Sequence, residues 1–237
     1  MAYPVIQGNV VGSALSVSSF LLDSWTPGAD DLLLLFLHLR QTRTATGVTG
    51  NGLTWTRIIN RQDAQNQIHG EVWWAQGASP STGQIEVTLD ATAGSMLARA
   101  VRISGAASGT PAVIASADTG GTDTASPSVG LTTDVAEAVV VGTIGCRSRT
   151  LTWGSGITAV GSQQAVGSAG DELRLDTGYR QVASASATTI DATLSSANDW
   201  IAMAVQVAPV GAPPPEGQPI HLRRPGLWLP PQLGRGF

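Results

Sequence analysis

The sharpest chemical feature of the 237-residue sequence is a doubled Asp-Thr-Gly triplet, at Asp118-Thr119-Gly120 and Asp176-Thr177-Gly178. Two carboxylates sharing one proton can serve as acid and base in a single hydrolytic step. That chemistry needs the triplets on equivalent loops. They lie 58 positions apart (118 to 176), whereas the internal similarity described below relates positions near 105 apart, as Trp74 to Tyr179. The residues that follow, Gly121 and Tyr179, stand where such hydrolases carry Ser or Thr. Both aspartates therefore read as turn and strand-end residues. Asp118 and Asp123, with nearby hydroxyls, lack the alternating acidic ligands and closing glutamate of a calcium loop.

His38, His69 and His221 are far apart and match no zinc-ligand spacing. His38 interrupts an apolar run and reads as a strand residue with a local hydrogen bond. Nucleophile-elbow, phosphate-loop and dinucleotide-loop patterns are absent. Gly47 to Gly52 reads as a turn, tightest at Asn51-Gly52. The single Cys146 excludes an internal disulfide and any multi-cysteine metal site, and reads as a small buried hydrophobe. We expect no catalytic residue, no metal site and no cofactor. Of the seven tryptophans, adjacent Trp73 and Trp74 must point to opposite sheet faces. Trp55 and Trp153 occupy repeat-equivalent places and suit paired core positions. Trp228 reads as an interface anchor.

The elements that carry these residues are strands. Strand signals recur every 10–15 residues, divided by Gly, Ser, Thr, Asn or Asp clusters. They predict strands at 5–11, 14–22, 31–40, 54–60, 70–74, 84–89 and 96–103, then 112–117, 138–146, 157–163, 172–180, 188–194 and 200–207. Many alternate: Ile85, Val87 and Leu89 point one way, Gln84, Glu86 and Thr88 the other. No long window carries a helical stripe. The fold class is all-β, an antiparallel sandwich of the jelly-roll kind.

The halves resemble each other. Trp74, Gln76, Ala78 and Ser79 line up with Tyr179, Gln181, Ala183 and Ser184, and Leu53-Thr54-Trp55 with Leu151-Thr152-Trp153. Asp31 and the run 32–35 match Glu137 and 138–141. These matches predict one sandwich domain over 1–209, built from pseudo-repeats at about 30–105 and 136–209.

Only 13% of residues are charged, against about 25% in ordinary soluble domains. Little charge with much Ala, Ser, Thr and Gly favours broad contact surfaces. A net charge of −4 argues against electrostatic binding of nucleic acid. The N-terminus lacks the marks of a signal peptide, and no apolar run can cross a bilayer as a helix, so no membrane association is expected. After Pro209 the composition changes. Residues 210–237 form a Pro-rich stretch with apolar anchors and a charge of +2, leaving −6 for the remainder. Proline favours extended geometry and loses little entropy on docking. The candidate partner-binding residues of this arm are Pro219, Ile220, Leu222, Arg223, Arg224, Pro225, Leu227, Trp228, Leu229 and Pro230.

Met1-Ala2-Tyr3-Pro4, the acidic turn and strand Asp30-Asp31-Leu32-Leu33-Leu34, the element Gly52-Leu53-Thr54-Trp55-Thr56 and the strand end Val101-Arg102-Ile103-Ser104-Gly105 resemble β-sandwich structural proteins of tailed phages and prophages. The likeness spans about residues 1–209, rests on packing motifs and brings no catalytic residues. It implies a virion component assembled in the host cytoplasm, with other virion proteins (the major capsid protein or tail proteins) and copies of itself as partners. The leading expectation is a non-enzymatic head decoration, or cement, protein that binds the capsid and its neighbours partly through the arm. The alternative is a tail-associated fibre or receptor-binding module that recognises a host surface glycan.

Overall fold

The computed structural model describes residues 2–165 and 170–212. Fourteen antiparallel strands and no helix make up these residues. They are β1 (Val5–Leu21), β2 (Leu32–Arg40), β3 (Ala45–Gly50), β4 (Thr56–Gln62), β5 (Ile68–Ala75), β6 (Ile85–Ser104) and β7 (Ile114–Asp118), then β8 (Ser128–Thr132), β9 (Ala138–Cys146), β10 (Leu151–Trp153), β11 (Thr158–Ala165), β12 (Leu173–Val182), β13 (Ala187–Leu194) and β14 (Trp200–Val207). The all-β sandwich expected from the sequence is what forms. The arm residues beyond Ala212, including every candidate partner-binding residue from Pro219 to Pro230, lie outside the described residues.

Two sheets meet face to face at the centre. One runs β1-β6-β2-β5-β4 and the other β7-β14-β9-β12-β11. Between them lies a core that includes Leu34, Phe36, Val72 and Val101 from the first and Val141, Leu175, Met203 and Val205 from the second. Each central sheet also buries its outer face. The first is covered by β3 with the far ends of β1 and β6, around Leu33, Leu35, Leu37, Trp55, Trp73 and Val87. The second is covered by the sheet β10-β13-β8, around Val140, Ile144, Ile190, Leu194 and Trp200. Burial on both faces explains why β2, β9 and β14 are apolar runs instead of alternating strands. Fully burying each large aliphatic or aromatic side chain contributes roughly 1.5–3 kcal/mol.

The two halves repeat one strand order. In each, a central strand (β2 or β9) is flanked by the same pair of neighbours: β6 and β5 in the first half, β14 and β12 in the second. The long β1–β6 ribbon passes from the central into the outer layer, bending where Ser16 adopts φ 54° opposite Gly94. In the second half the same ribbon is interrupted, giving β7 and β8 on one side and β13 and β14 on the other. A β-bulge interrupts both edge pairings at matching places, between Arg57 and Ile59 and between Ala159 and Gly161. Contacts across the central interface are reciprocal: β5 meets β14 as β12 meets β6, and β4 meets β7 as β11 meets β1. That is the signature of a twofold arrangement within one chain.

The sequence match at the start of β2 and β9 is one residue out of step. Asp30, not Asp31, corresponds to Glu137. Both take left-handed φ, 58° and 55°. Both donate their N–H to a carbonyl after the neighbouring strand, Gly77 O at 3.0 Å and Ala183 O at 3.3 Å. A one-residue slip in a strand reverses every side chain, and only this register places Leu32 and Leu34 on the same face as Val139 and Val141. It also pairs His38 with Gly145.

Residues 47–50, read as part of a turn, belong to strand β3 (Ala45–Gly50); the left-handed pair Asn51 (φ 55°) and Gly52 (φ 65°) does form the tight point that ends it. His38 fills the space that Gly145 leaves. A Cβ on Gly145 would fall 1.9 Å from His38 Nδ1. Gly145→Ala is expected to lose at least about 1–3 kcal/mol of stability by overpacking. Gly47→Ala, where a Cβ meets nothing within 4 Å, should leave stability nearly unchanged. Urea unfolding of the two variants checks both outcomes.

Candidate functional site

The doubled triplet does not form a dyad. Asp176 lies on β12 and Asp118 at the end of β7, three strand positions apart in the order β12-β9-β14-β7. At ~4.8 Å per strand that separation is about 14 Å. Each carboxylate has its own arginine. Asp118 takes Arg61 Nε at 2.6 Å and accepts the Gly120 N–H at 2.7 Å. Asp176 takes Arg174 Nε at 2.6 Å and Nη2 at 3.1 Å. Asp123 accepts from Gln65 Nε2 at 2.8 Å. Among the described residues no group of three or more His, Cys, Asp or Glu is arranged to hold a metal ion.

The other chemistry-bearing side chains also serve the fold. Glu71, fully buried in β5, accepts from Trp73 Nε1 at 2.7 Å, the Ala45 N–H at 2.9 Å and Arg57 Nη1 at 3.3 Å, with His69 Nε2 at 3.2 Å. This anion holds β3, β4 and β5 together. Its role was not legible in the sequence, because its partners come from three strands. Cys146 is buried, and burial pushes its thiol up to about 11, away from nucleophilic reactivity. The six described tryptophans all join cores. Trp73 and Trp74 point to opposite faces as expected, into the outer and central cores. Trp55 and Trp153 both join outer cores but are not counterparts: Thr56 faces Trp74 as Thr158 faces Tyr179, so Ile157 stands in the place of Trp55, and Trp153 on β10 stands in the place of Val48 on β3. None of the six is exposed as a flat stacking platform.

Polar groups gather at the two ends of the central sandwich. At one end Arg40 and Arg147, at corresponding positions after the repeat offset, lie near each other across the two halves. Arg40 donates to Gln67 O at 2.5 Å and Gly170 O at 2.6 Å, and Arg147 lies 3.7 Å from Asp199. Burial first, then the neighbouring Arg147, lowers the pKa of Arg40, against the pull of Asp171, Asp199 and Asp63. Burial, helped by Asp123 and Asp63, raises the Asp199 carboxyl to about 6. His38 is pushed down to about 3 by burial and by His69, so it stays neutral in the folded chain.

The opposite end carries a cavity of about 600 Å³. The connection between the halves forms one wall, through Ser108, Gly109, Pro111 and Ala112. Val135 and Gln206 contribute from the second half, and Leu32 from the first. Val210, Gly211 and Ala212, the last described residues before the arm, complete the rim. Two backbone bonds pin this corner: Ala107 N–H to Ala208 O and Val210 N–H to Gly105 O, both 2.8 Å. Gln206 donates to the Asp134 carboxylate and accepts the Asp134 N–H at 3.0 Å, which holds the floor. Asp134 and Val210 are exposed, Val210 at 66%. Sequence reading missed this cavity because its walls are small residues from four separate segments.

The fold and the two ends thus describe a layered all-β body with an open cavity where its C-terminal segment departs. No family model, curated protein or solved structure matches the chain.

Glu71→Ala is expected to cost at least about 1–3 kcal/mol, because it leaves the buried Trp73 and Ala45 N–H donors unpaired and removes the half-buried Arg57 ion pair; chemical denaturation reads the loss. The pH response has two opposed parts. Between pH 3.8 and about 6 the folded chain keeps a proton on Asp199 that the unfolded chain has released, so this group's contribution falls as pH rises. Between about pH 3 and 6.5 the unfolded chain protonates His38 and the folded chain does not, so that contribution falls as pH drops. Relative to the parent, Asp199→Asn should gain stability from pH 4 to pH 7, and His38→Gln should gain from pH 7 to pH 4. Urea midpoints across that range check both slopes.

Proposed function

We propose that the chain is a non-enzymatic structural component of a phage virion, a head decoration protein that binds the capsid and neighbouring subunits partly through its C-terminal arm. The observation that carries this reading is the division of labour along the chain. Within the described body the aspartates, histidines, cysteine and tryptophans are engaged in packing, ion pairs and turns. The chain then leaves the sandwich beside an open cavity and continues for 25 further positions (213–237) rich in proline and large apolar residues. Among the described residues the three cores are built from side chains between Phe20 and Val207. A Pro-rich segment with regularly spaced apolar residues is suited to contact between subunits.

Low charge supports the same reading, since wide subunit contacts tolerate few unpaired charges. Repetition on a symmetric shell would multiply a weak arm contact into firm attachment. The six described tryptophans, sheltered in cores, give the glycan-binding tail module no corresponding support.

Removal of residues 211–237 tests the reading. The full chain is expected to co-sediment with particles of the phage that encodes it, and the shortened chain to show at least a tenfold lower bound copy number. Failure of the full chain to sediment with particles would refute the virion role. Equal binding by the shortened chain would refute the arm as an anchor.

A further inference from the structure

We infer that Asp123 and Asp199 share one proton, that this proton latches the 120–124 loop onto the turn before β14, and that the latch opens when the proton leaves. The latch does not depend on the assembly role proposed above.

The backbone sets the pair. Thr124 and Asn198 form an antiparallel bridge and exchange two bonds, Thr124 N–H to Asn198 O at 3.3 Å and Asn198 N–H to Thr124 O at 3.1 Å. One position along such a bridge the facing residues are Asp123 and Asp199. That next pair is the kind without hydrogen bonds of its own, where Cα atoms come within about 4.5 Å and side chains lie closest. Two like charges facing each other there repel. Yet the Asp199 side chain lies within hydrogen-bonding reach of Asp123. An ionised carboxylate only accepts, so a bond between two of them needs a proton on one.

Asp199 has little other relief. It is 3% exposed, and with both groups ionised its buried Oδ1 meets no N–H or O–H donor. Its Oδ2 lies 3.7 Å from Arg147 Nη1, too long for a hydrogen bond. Asp63, from the 63–67 turn, also acts on Asp199 and has a buried Oδ2 without a donor. Arg40 at the end of β2 is the second nearby cation, and Asp171 and Glu172, just before β12, act on the two arginines. Asp63, Asp123, Asp171, Glu172 and Asp199 thus stand against Arg40 and Arg147, and one proton lowers the excess of negative charge. Burial, then Asp123, raises the Asp199 carboxyl to about 6, so the pair keeps its proton below that pH and loses it above.

The loop is placed to respond. Gly120 to Thr124 are exposed, and exposed Asp123 gives the proton a path to water. Besides the bridge, two side-chain bonds tie this loop to the turns around it: Trp200 Nε1 to Thr124 Oγ1 and Gln65 Nε2 to Asp123 Oδ1, both 2.8 Å. Repulsion between two ionised aspartates acts directly on the bridge beside them.

Two measurements on the full-length chain test this. By NMR the carboxyl carbon of Asp199 is expected to titrate near pH 6 in the parent. In Asp123→Asn, whose amide donates without needing a proton, the midpoint should fall by about one unit or more. Amide hydrogen exchange reads the loop. Protection of the Thr124 and Asn198 amides is taken relative to the Ala202 amide inside β14, which cancels any change in global stability. This ratio is expected to fall roughly fivefold or more from pH 5 to pH 7.5 in the parent, and to stay level in Asp123→Asn and Asp199→Asn. An Asp199 midpoint that Asp123→Asn leaves unchanged overturns the shared proton. A level ratio in the parent, or the same fall in both variants, overturns the latch. Asp123 is exposed, so its replacement leaves the fold intact for both readings.

Discussion

The structure depends on apolar burial against both faces of two antiparallel sheets. A sheet with one wet face needs alternation and can stand on a single core. Here the central strands β2, β9 and β14 are apolar at nearly every position and would be untenable with either face exposed. That composition forces a four-layer stack: an outer layer, two central sheets and a second outer layer. The long β1–β6 ribbon meets the need in the first half by bending from one layer to the next. The second half meets it with a broken ribbon. The same requirement thus has a bent and an interrupted solution in one chain.

Burial of this extent makes every polar group inside it consequential. Glu71 is tolerated because three donors, Trp73 Nε1, the Ala45 N–H and Arg57 Nη1, converge on it from three strands. His38 is tolerated as a neutral imidazole, seated against a glycine at its own repeat-equivalent position. Large opposite small across a twofold axis is how a symmetric interface avoids a clash between identical residues. Arg99 and Asp176 are buried within the stack, and a further charged group gathers at one sandwich end, where Arg40 and Arg147 lie near each other among aspartates. One ion pair, Arg61–Asp118, joins the two sheets at that end, and an interaction of this kind favours one relative placement of two largely apolar surfaces.

The two ends differ in what they leave open. At one, side chains and the 63–67 turn close over the sheets. At the other, the connection between halves runs through small residues, and the chain departs beside a cavity. A connection has to cross the central interface to join the repeats, and small residues let it cross close to the backbone of the departing strand, as the Ala107–Ala208 and Val210–Gly105 bonds show. The opening is thus a by-product of joining two halves in series.

Local pattern alone determined much of this. Period-two alternation and the absence of a helical stripe fixed the class, because side-chain direction follows strictly from strand geometry. β9 and β14 were legible to the residue, since long apolar runs have clear ends. Trp73 and Trp74 had to face opposite cores. Asn51-Gly52 marked a true tight turn. Only the tertiary structure decided the rest. The continuity of β1 and β6 was invisible because a bend and a break look alike in sequence. β3, β8 and β10 are short edge or outer strands whose pairing comes from distant partners. The slip between Asp30 and Asp31 could be resolved only by seeing which face each leucine occupies. The distance between Asp118 and Asp176, the partners of Glu71 and the walls of the cavity all depend on segments far apart in the chain. Sequence records local direction, and contact between remote segments exists only once the layers have stacked.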